Sequence, residues 1–502
     1  MLHVVGLSLS TVFSMAISVL KRILFLTPKH KSLSFGSSSS PSLPSDQSKS
    51  LIETVVSILT QQRSKSRWSH LYSLYPDGFH PNDFSQITLL LKNNPHLALR
   101  FFLWTQHKSL CNHNLLTYST IIHILARGRL KSRAQALIRT AIRLSAEDNL
   151  VPNPLKVFES LVKTYTSCGS APFVFDLLVQ ACLETKKIDP ATEIVRMLRS
   201  RGINPKVITL NFLISRVSRC RGGNAGYEVY REVFGLGGEE NEVKAKRTFR
   251  VRPNVHTFNA LMVGFYQDGL IEMVEMIWNE MARYDCVPNG YSYGLLIAAY
   301  CDEGRMGKAE ELWEEMKVKE VEADVVGYNT MIGGFCKIGE IEKAEEIFKE
   351  MGLNGVDSSC ATYEHLVNGY CSVGDVDSAL LVYEDMCRKG FRPEASTLDV
   401  MIGGLCVNGR VDEALEILRD GVEHFGLVAK GKSYETLIKG LCEDGKMEEA
   451  FKLQAEMVGK GFQPNLEVYG AFTYGYIKSG NEGMAEVLRK EMLEMQMHEK
   501  EI

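Results

Sequence analysis

The stretch Val325–Met351 reads VVGYNTMIGGFCKIGEIEKAEEIFKEM, and its spacing decides the fold. Tyr328, Met331, Ile332, Phe335 and Cys336 fall at i, i+3, i+4, i+7 and i+8, one apolar face of an α-helix. Gly339 follows the last apolar turn, where a glycine takes up the left-handed conformation that ends a helix and lets the chain reverse. Ala344, Ile347, Phe348 and Met351 then repeat the helical spacing, and the small Ala344 lets two backbones approach closely. The stretch is expected to form a helical hairpin.

Its Gly-x4-Ala element recurs along the C-terminal half as Gly304/Ala309, Gly339/Ala344, Gly374/Ala379, Gly409/Ala414, Gly445/Ala450 and Gly480/Ala485, at a step of 35 residues and once of 36. A period of that size marks a stacked array of helical repeats. One hairpin buries too little apolar surface to offset the ordering of its own backbone, so each copy must bury a second face against its neighbours. The expected fold is all-α: an α-solenoid superhelix of stacked 35-residue helix-turn-helix repeats, its concave side lined by the first helix of each.

Clear copies begin at Val255, Gly290, Val325, Cys360, Ala395, Gly431 and Leu466, the last incomplete. Upstream, Pro172–Lys206 is a full-length copy ending in Gly202-Ile203-Asn204-Pro205, and Val207 starts another. A degenerate copy begins near Leu115, and a half-copy occupies Leu155–Cys168. The step, the Phe258-Asn259 and Tyr328-Asn329 starts, and the Gly390-Phe391-Arg392-Pro393 and Gly461-Phe462-Gln463-Pro464 endings resemble the pentatricopeptide repeat, a family of organellar RNA-binding proteins. The tetratricopeptide repeat, with its 34-residue unit and different markers, fits less well. The resulting division is 1–49, an organellar transit peptide and linker; 50–110, a helical leader; 111–206, degenerate repeats; 207–254, a repeat with an inserted charged loop; 255–497, regular repeats; and 498–502, a tail.

The leader contains Asn94–Gln106 (NPHLALRFFLWTQ), which is expected to cap the apolar face of the first hairpin. Residues 221–252 break the period: a second helix runs to Phe234, then a Gly-rich charged loop follows. Lys244, Lys246, Arg247, Arg250 and Arg252 in that loop are either solvated or placed to touch phosphates. No acidic residue precedes Asp46, while Lys21, Arg22, Lys29 and Lys31 are basic and 37–45 is rich in Ser and Pro. That composition suits an import sequence for the mitochondrion, with the plastid as the alternative. The apolar run Leu2–Leu20 approaches the length of a membrane span, which leaves a signal anchor as the competing reading, although stable membrane insertion is not expected.

A formal net charge of −4 and a pI near 6.3 mean that affinity for nucleic acid would have to come from local charge and base contacts. Cys301, Cys336, Cys371, Cys406 and Cys442 hold one equivalent position in five successive repeats. Packed helices stand too far apart for disulfides there, so these are read as small core residues. There is no C-x-x-C pair and no His-x-Glu element, so the zinc deaminase module carried by some relatives is missing, and no P-loop, dinucleotide fingerprint or catalytic triad is found. Neither catalysis, a metal, a cofactor nor a small-molecule substrate is expected.

The resemblance implies that each repeat reads one base of single-stranded RNA with its fifth residue and its last. The pairs are Asn211/Asn254, Asn259/Asn289, Gly294/Asp324 and Asn329/Ser359. In the family Asn with Asp favours uracil, Asn with Asn accepts cytosine or uracil and Asn with Ser leans to cytosine, so these imply pyrimidine, pyrimidine, an undefined base and cytosine. Asp176/Lys206, Glu364/Glu394, Asp399/Lys430 and Glu435/Asn465 depart from the pattern. Read from the residues alone, each Asn simply caps or satisfies a helix start. Two functions stay open: an organellar protein that occupies single-stranded RNA, with possible protein partners in RNA processing, or a scaffold gripping a peptide in an acidic groove.

Overall fold

The computed structural model describes residues 45–61, 65–146, 153–234 and 251–499. The run Leu2–Leu20, the basic leader and most of the charged loop at 235–250 lie outside them. The chain divides into two compact parts, 1–78 and 79–502, and the 50–110 leader is shared between them. In the first, helix Ser45–Gln61 buries Ile52, Val55 and Leu59 on one face, and is followed by the turn Lys65–His70 and the short helix Leu71–Leu74. Among the described residues every extended element is helical, apart from an isolated bridge between Phe79 and Cys111.

The second part is an α-solenoid. Its entry is the helix pair Pro81–Leu90 and Pro95–His107, the latter started by the Asn94 side chain and by proline in its first turn. Both helices pack on Leu115–Arg127, where Phe102 meets Tyr118 edge-on at 5.2 Å. From Val207 onward the first helices are Val207–Arg221, Val255–Gln267, Gly290–Asp302, Val325–Ile338, Cys360–Val373, Ala395–Val407, Gly431–Glu443 and Leu466–Lys478. Each is followed by a second helix, from Gly223–Phe234 through Ile341–Leu353 to Glu482–Glu499. Gly339 and Gly374 end their helices at φ of 81° and 85°, a left-handed conformation in which a side chain would be strained.

Two recurring contacts help close the hairpins. Ala309, Ala344, Ala379, Ala414 and Ala450 are fully buried where the helices cross. The fourth-residue tyrosine of the first helix donates its hydroxyl to a carboxylate of the second: Tyr293 to Glu315 at 3.0 Å, Tyr363 to Asp385 at 3.0 Å and Tyr434 to Glu456 at 3.0 Å.

Between repeats, first helices interlock through a glycine facing the preceding cysteine. A β-carbon at Gly334 would lie 2.8 Å from Cys301 Sγ, at Gly369 2.6 Å from Cys336 Sγ, at Gly404 3.2 Å from Cys371 Sγ and at Gly440 3.2 Å from Cys406 Sγ. These four cysteines and Cys442, the five recurring ones, are free thiols. Burial pushes Cys301, Cys336, Cys406 and Cys442 up to about 12, and Cys371 up to about 11. Successive first helices therefore pack directly on one another, whereas successive second helices do not approach comparably. Closer spacing on one side curves the stack toward that side, so the first helices line its inner surface.

Upstream the half-copy leaves its mark. Helix Pro154–Cys168 stacks on Leu115–Arg127 but has no second helix of its own. Helix Phe173–Glu184 fills the gap by packing also against Lys131–Leu144. It is consequently buried on almost every side, Asp176 included.

Candidate nucleic-acid interface

The paired residues meet at the junctions between first helices. The last residue of a repeat is the N-cap of the next first helix: Asn254, Asn289, Asp324, Ser359 and Asn465 all accept backbone N–H groups there. At three junctions a closed ring of hydrogen bonds adds the fifth residue of the repeat before. The Asn254 backbone N–H donates to Thr257 Oγ1 at 3.0 Å, Thr257 Oγ1 donates to Asn211 Oδ1 at 2.6 Å, and Asn211 Nδ2 donates to Asn254 Oδ1 at 3.0 Å. Ser292 donates to Asn259 Oδ1 at 2.7 Å, and Asn259 Nδ2 donates to Asn289 Oδ1 at 3.3 Å. Thr362 donates to Asn329 Oδ1 at 2.6 Å, and Asn329 Nδ2 donates to Ser359 Oγ at 3.0 Å. The helix-capping reading of the last residues and their pairing with the fifth residues thus describe one and the same network.

The remaining pair, Gly294 with Asp324, is built differently. Gly294 has no side chain, a β-carbon there would meet nothing within 4 Å, and the third residue of the next repeat is Gly327 rather than Ser or Thr. Asp324 caps Gly327 N at 2.9 Å, and Gly294 has no side chain to reach it across the junction.

Where the last residue cannot cap, a carboxylate at the fifth position takes over. Lys206, Glu394 and Lys430 make no side-chain cap bond. Instead Asp176 accepts the Lys206 N–H at 2.9 Å, and Glu364 accepts the Glu394 N–H at 3.2 Å and the Thr397 hydroxyl at 3.3 Å. Asp399 accepts from Ser433 Oγ and pairs with Lys430 at 3.4 Å. Asp176 is only 7 % exposed, and burial raises its pKa against the opposing pull of the Lys206 amide and Thr209. At the last junction Glu435 accepts from Asn465 Nδ2 at 2.9 Å.

Side chains expected to face the groove do so unequally. Asn329 lines a recess of about 640 Å³ on the inner side, together with Gly333, Lys337 and His365. Asn259 is 4 % exposed, because the Asn289 cap and Ser292 close over it. The recess is of mixed sign: Asp302 faces Lys337, and burial lowers the pKa of His365, which keeps its ring neutral near pH 7. Ile208, Tyr291 and Val326 are exposed apolar residues at the second position of three repeats, where Tyr291 offers a ring on which a base can stack and Ile208 and Val326 offer apolar contact. The family pattern of fifth and last residues marks neither these nor the third-position hydroxyls, although both recur at one register. Among the described residues no group of three or more His, Cys, Asp or Glu could hold a metal ion, and no helix is long and apolar enough to cross a membrane.

Comparison with known proteins names the architecture. Models described as the PPR repeat family match residues 253–302, 323–371, 359–407 and 432–478, those of the PPR repeat match 291–321 and 396–424, and the pentatricopeptide repeat domain matches 174–219. The chain belongs to the pentatricopeptide repeat family. It is 54% identical over 274 residues to the Arabidopsis thaliana pentatricopeptide repeat-containing protein At2g15980, covering 53% of this chain and 54% of that one. It is 30% identical over 204 residues to the Arabidopsis thaliana mitochondrial protein At1g66345 of the same family, covering 40% of this chain and 36% of that one. The matches thus span about half, or less, of these curated relatives. A solved structure of the pentatricopeptide repeat protein PPR10 in complex with an 18-nt psaJ RNA element aligns over 96% of this chain and 72% of that chain, at 17% identity and a TM-score of 0.49.

Proposed function

We propose that this chain binds single-stranded RNA along its inner helices and selects bases at the junctions of residues 207–359, acting in an organelle by occupying a transcript. The observation that carries the reading is the convergence of Asn211 with Asn254, Asn259 with Asn289 and Asn329 with Ser359 at one register on the inner side. Each pair keeps donor and acceptor capacity beyond its own ring, which is what a base edge requires. Exposed Ile208 and Val326 sit three residues before Asn211 and Asn329 on the same helices, and exposed Tyr291 sits three residues before Gly294.

The competing reading, a peptide scaffold, rested on the acidic fifth positions. Glu364 and Asp399 accept hydrogen bonds from the following repeat, so they serve its helix start before any peptide. The basic leader and the mitochondrial naming of relatives such as At1g66345 support the mitochondrion as the site of action.

Selection of a random single-stranded RNA pool on the purified chain at two salt concentrations tests this. A short pyrimidine-rich motif containing cytosine is expected, with affinity falling as salt rises because phosphate contacts release counterions. Retention of no motif at either salt would move the assignment to the scaffold.

A further inference from the structure

We propose that the hydroxyls of Thr257, Ser292 and Thr362 are specificity-determining positioning residues, each holding the base-reading amide of the preceding repeat in one of its two orientations. The inference rests on the RNA-reading function proposed above. An asparagine carboxamide has two ends of opposite hydrogen-bonding sense, and turning it over exchanges a donor for an acceptor toward any ligand. At the inner surface, what a base meets therefore depends on which way the amide is turned.

The donors and acceptors around the ring favour one orientation. The cap backbone N–H points at the third-position oxygen in all three rings: Asn254 to Thr257 at 3.0 Å, Asn289 to Ser292 at 3.2 Å and Ser359 to Thr362 at 2.9 Å. The hydroxyl has one proton and makes its shortest contact, 2.6, 2.7 and 2.6 Å, with the amide oxygen of Asn211, Asn259 or Asn329, while the cap oxygen lies farther off at 3.1, 2.8 and 3.1 Å. The oxygen end is thereby turned into the junction, and the amide nitrogen, with one proton on the cap, keeps its second proton for the groove. Where the fifth residue is Gly294 and there is no amide to orient, the third position holds Gly327 and no hydroxyl.

The three rings differ in how much they depend on the hydroxyl. Asn254 Oδ1 and Asn289 Oδ1 each accept a backbone N–H, from Thr257 at 3.1 Å and Ser292 at 3.0 Å, so each cap faces the fifth residue with an oxygen that can only accept. A turned-over Asn211 or Asn259 would set oxygen against oxygen. Ser359 is a hydroxyl and can donate or accept, so at Asn329 the cap sets no preference and the 2.6 Å contact from Thr362, shorter than the 3.1 Å between Thr362 and Ser359, favours one orientation. Asn329 also lines the open recess, where the difference is presented directly to a ligand.

The test compares the full chain with its Thr362→Val and Thr362→Ser forms by random RNA selection and by thermal unfolding. Valine keeps the shape and removes the proton; serine keeps the proton. The expected result is a roughly ten-fold loss of discrimination at the one nucleotide read by Asn329 and Ser359 in Thr362→Val. Thr362→Ser should retain it, and preferences at the nucleotides assigned to Asn211 and Asn259 should be unchanged in both. A Thr362→Val form that unfolds at lower temperature yet keeps its base preference would reduce the hydroxyl to a helix cap and overturn the assignment. A wild-type chain that retains no motif would instead overturn the RNA reading itself, and this inference with it.

Discussion

Asp399 and Lys430 illustrate how a residue at a reading register can be committed to architecture instead. Asp399 accepts from Ser433 and pairs with Lys430, which makes no cap of its own. Replacing the pair by Asp399→Asn with Lys430→Asp supplies a carboxylate at the N-cap and an amide opposite Ser433. Stability is expected to rise by about 1 kcal/mol, the usual worth of an N-cap side chain. By family resemblance uracil should become preferred at that nucleotide, which RNA selection would reveal alongside a thermal melt. An unchanged RNA profile would mean that this junction does not meet RNA. From the sequence alone these carboxylates look like failed readers, since their partners are backbone N–H groups and hydroxyls thirty or more residues away. The Asn register, by contrast, is legible because the 35-residue period aligns Asn259 with Asn329 directly, two repeats apart.

At the level of helices, the Gly-Cys stripe sets the distance between neighbours. A β-carbon at Gly369 would lie 2.6 Å from Cys336 Sγ, 2.8 Å from Cys336 Cβ and 2.9 Å from Ile341 Cδ1. Alanine improves helix propensity by up to about 1 kcal/mol, but overpacking a filled contact typically costs about 1–3 kcal/mol. Because Cys336 Cβ is anchored to its helix and cannot swing away, overpacking wins, and Gly369→Ala is expected to destabilise the fold. Gly403 offers the control: it is also within a first helix, but a β-carbon there meets nothing within 4 Å. Gly403→Ala should stabilise by about 0.5–1 kcal/mol. Denaturant unfolding of both variants checks the opposite signs. The helices, their glycine stops and their alanine crossings are all legible in a single copy of the repeat, because helical periodicity is local. The packing of helix Phe173–Glu184 is not, because it depends on a missing second helix in the copy before it.

Across the whole array, the five recurring thiols couple stability to pH. Unfolded cysteines ionise near about 8.5. In the folded chain burial holds Cys301, Cys336, Cys406 and Cys442 protonated up to about 12 and Cys371 up to about 11. Above the unfolded value the unfolded chain binds fewer protons than the folded one, so stability falls as pH rises. The contribution is complete below about pH 8.5 and is lost progressively toward about 12. The melting temperature should therefore decline from pH 8 to pH 10.5, and the decline should be shallower when all five are replaced by alanine, whatever that does to the absolute stability. Equal slopes would show that the thiols are not the cause.

The dual duty of the last residue also restricts what the array can be made to recognise. Asn254, Asn289, Asp324 and Ser359 each begin a helix as well as complete a pair. Only short side chains with an oxygen at the right reach can do the first job, so the vocabulary available for the second is confined to Asn, Asp, Ser and Thr. A new target sequence must be spelled in those letters, or else a carboxylate such as Glu364 must take over the helix start and leave that word silent.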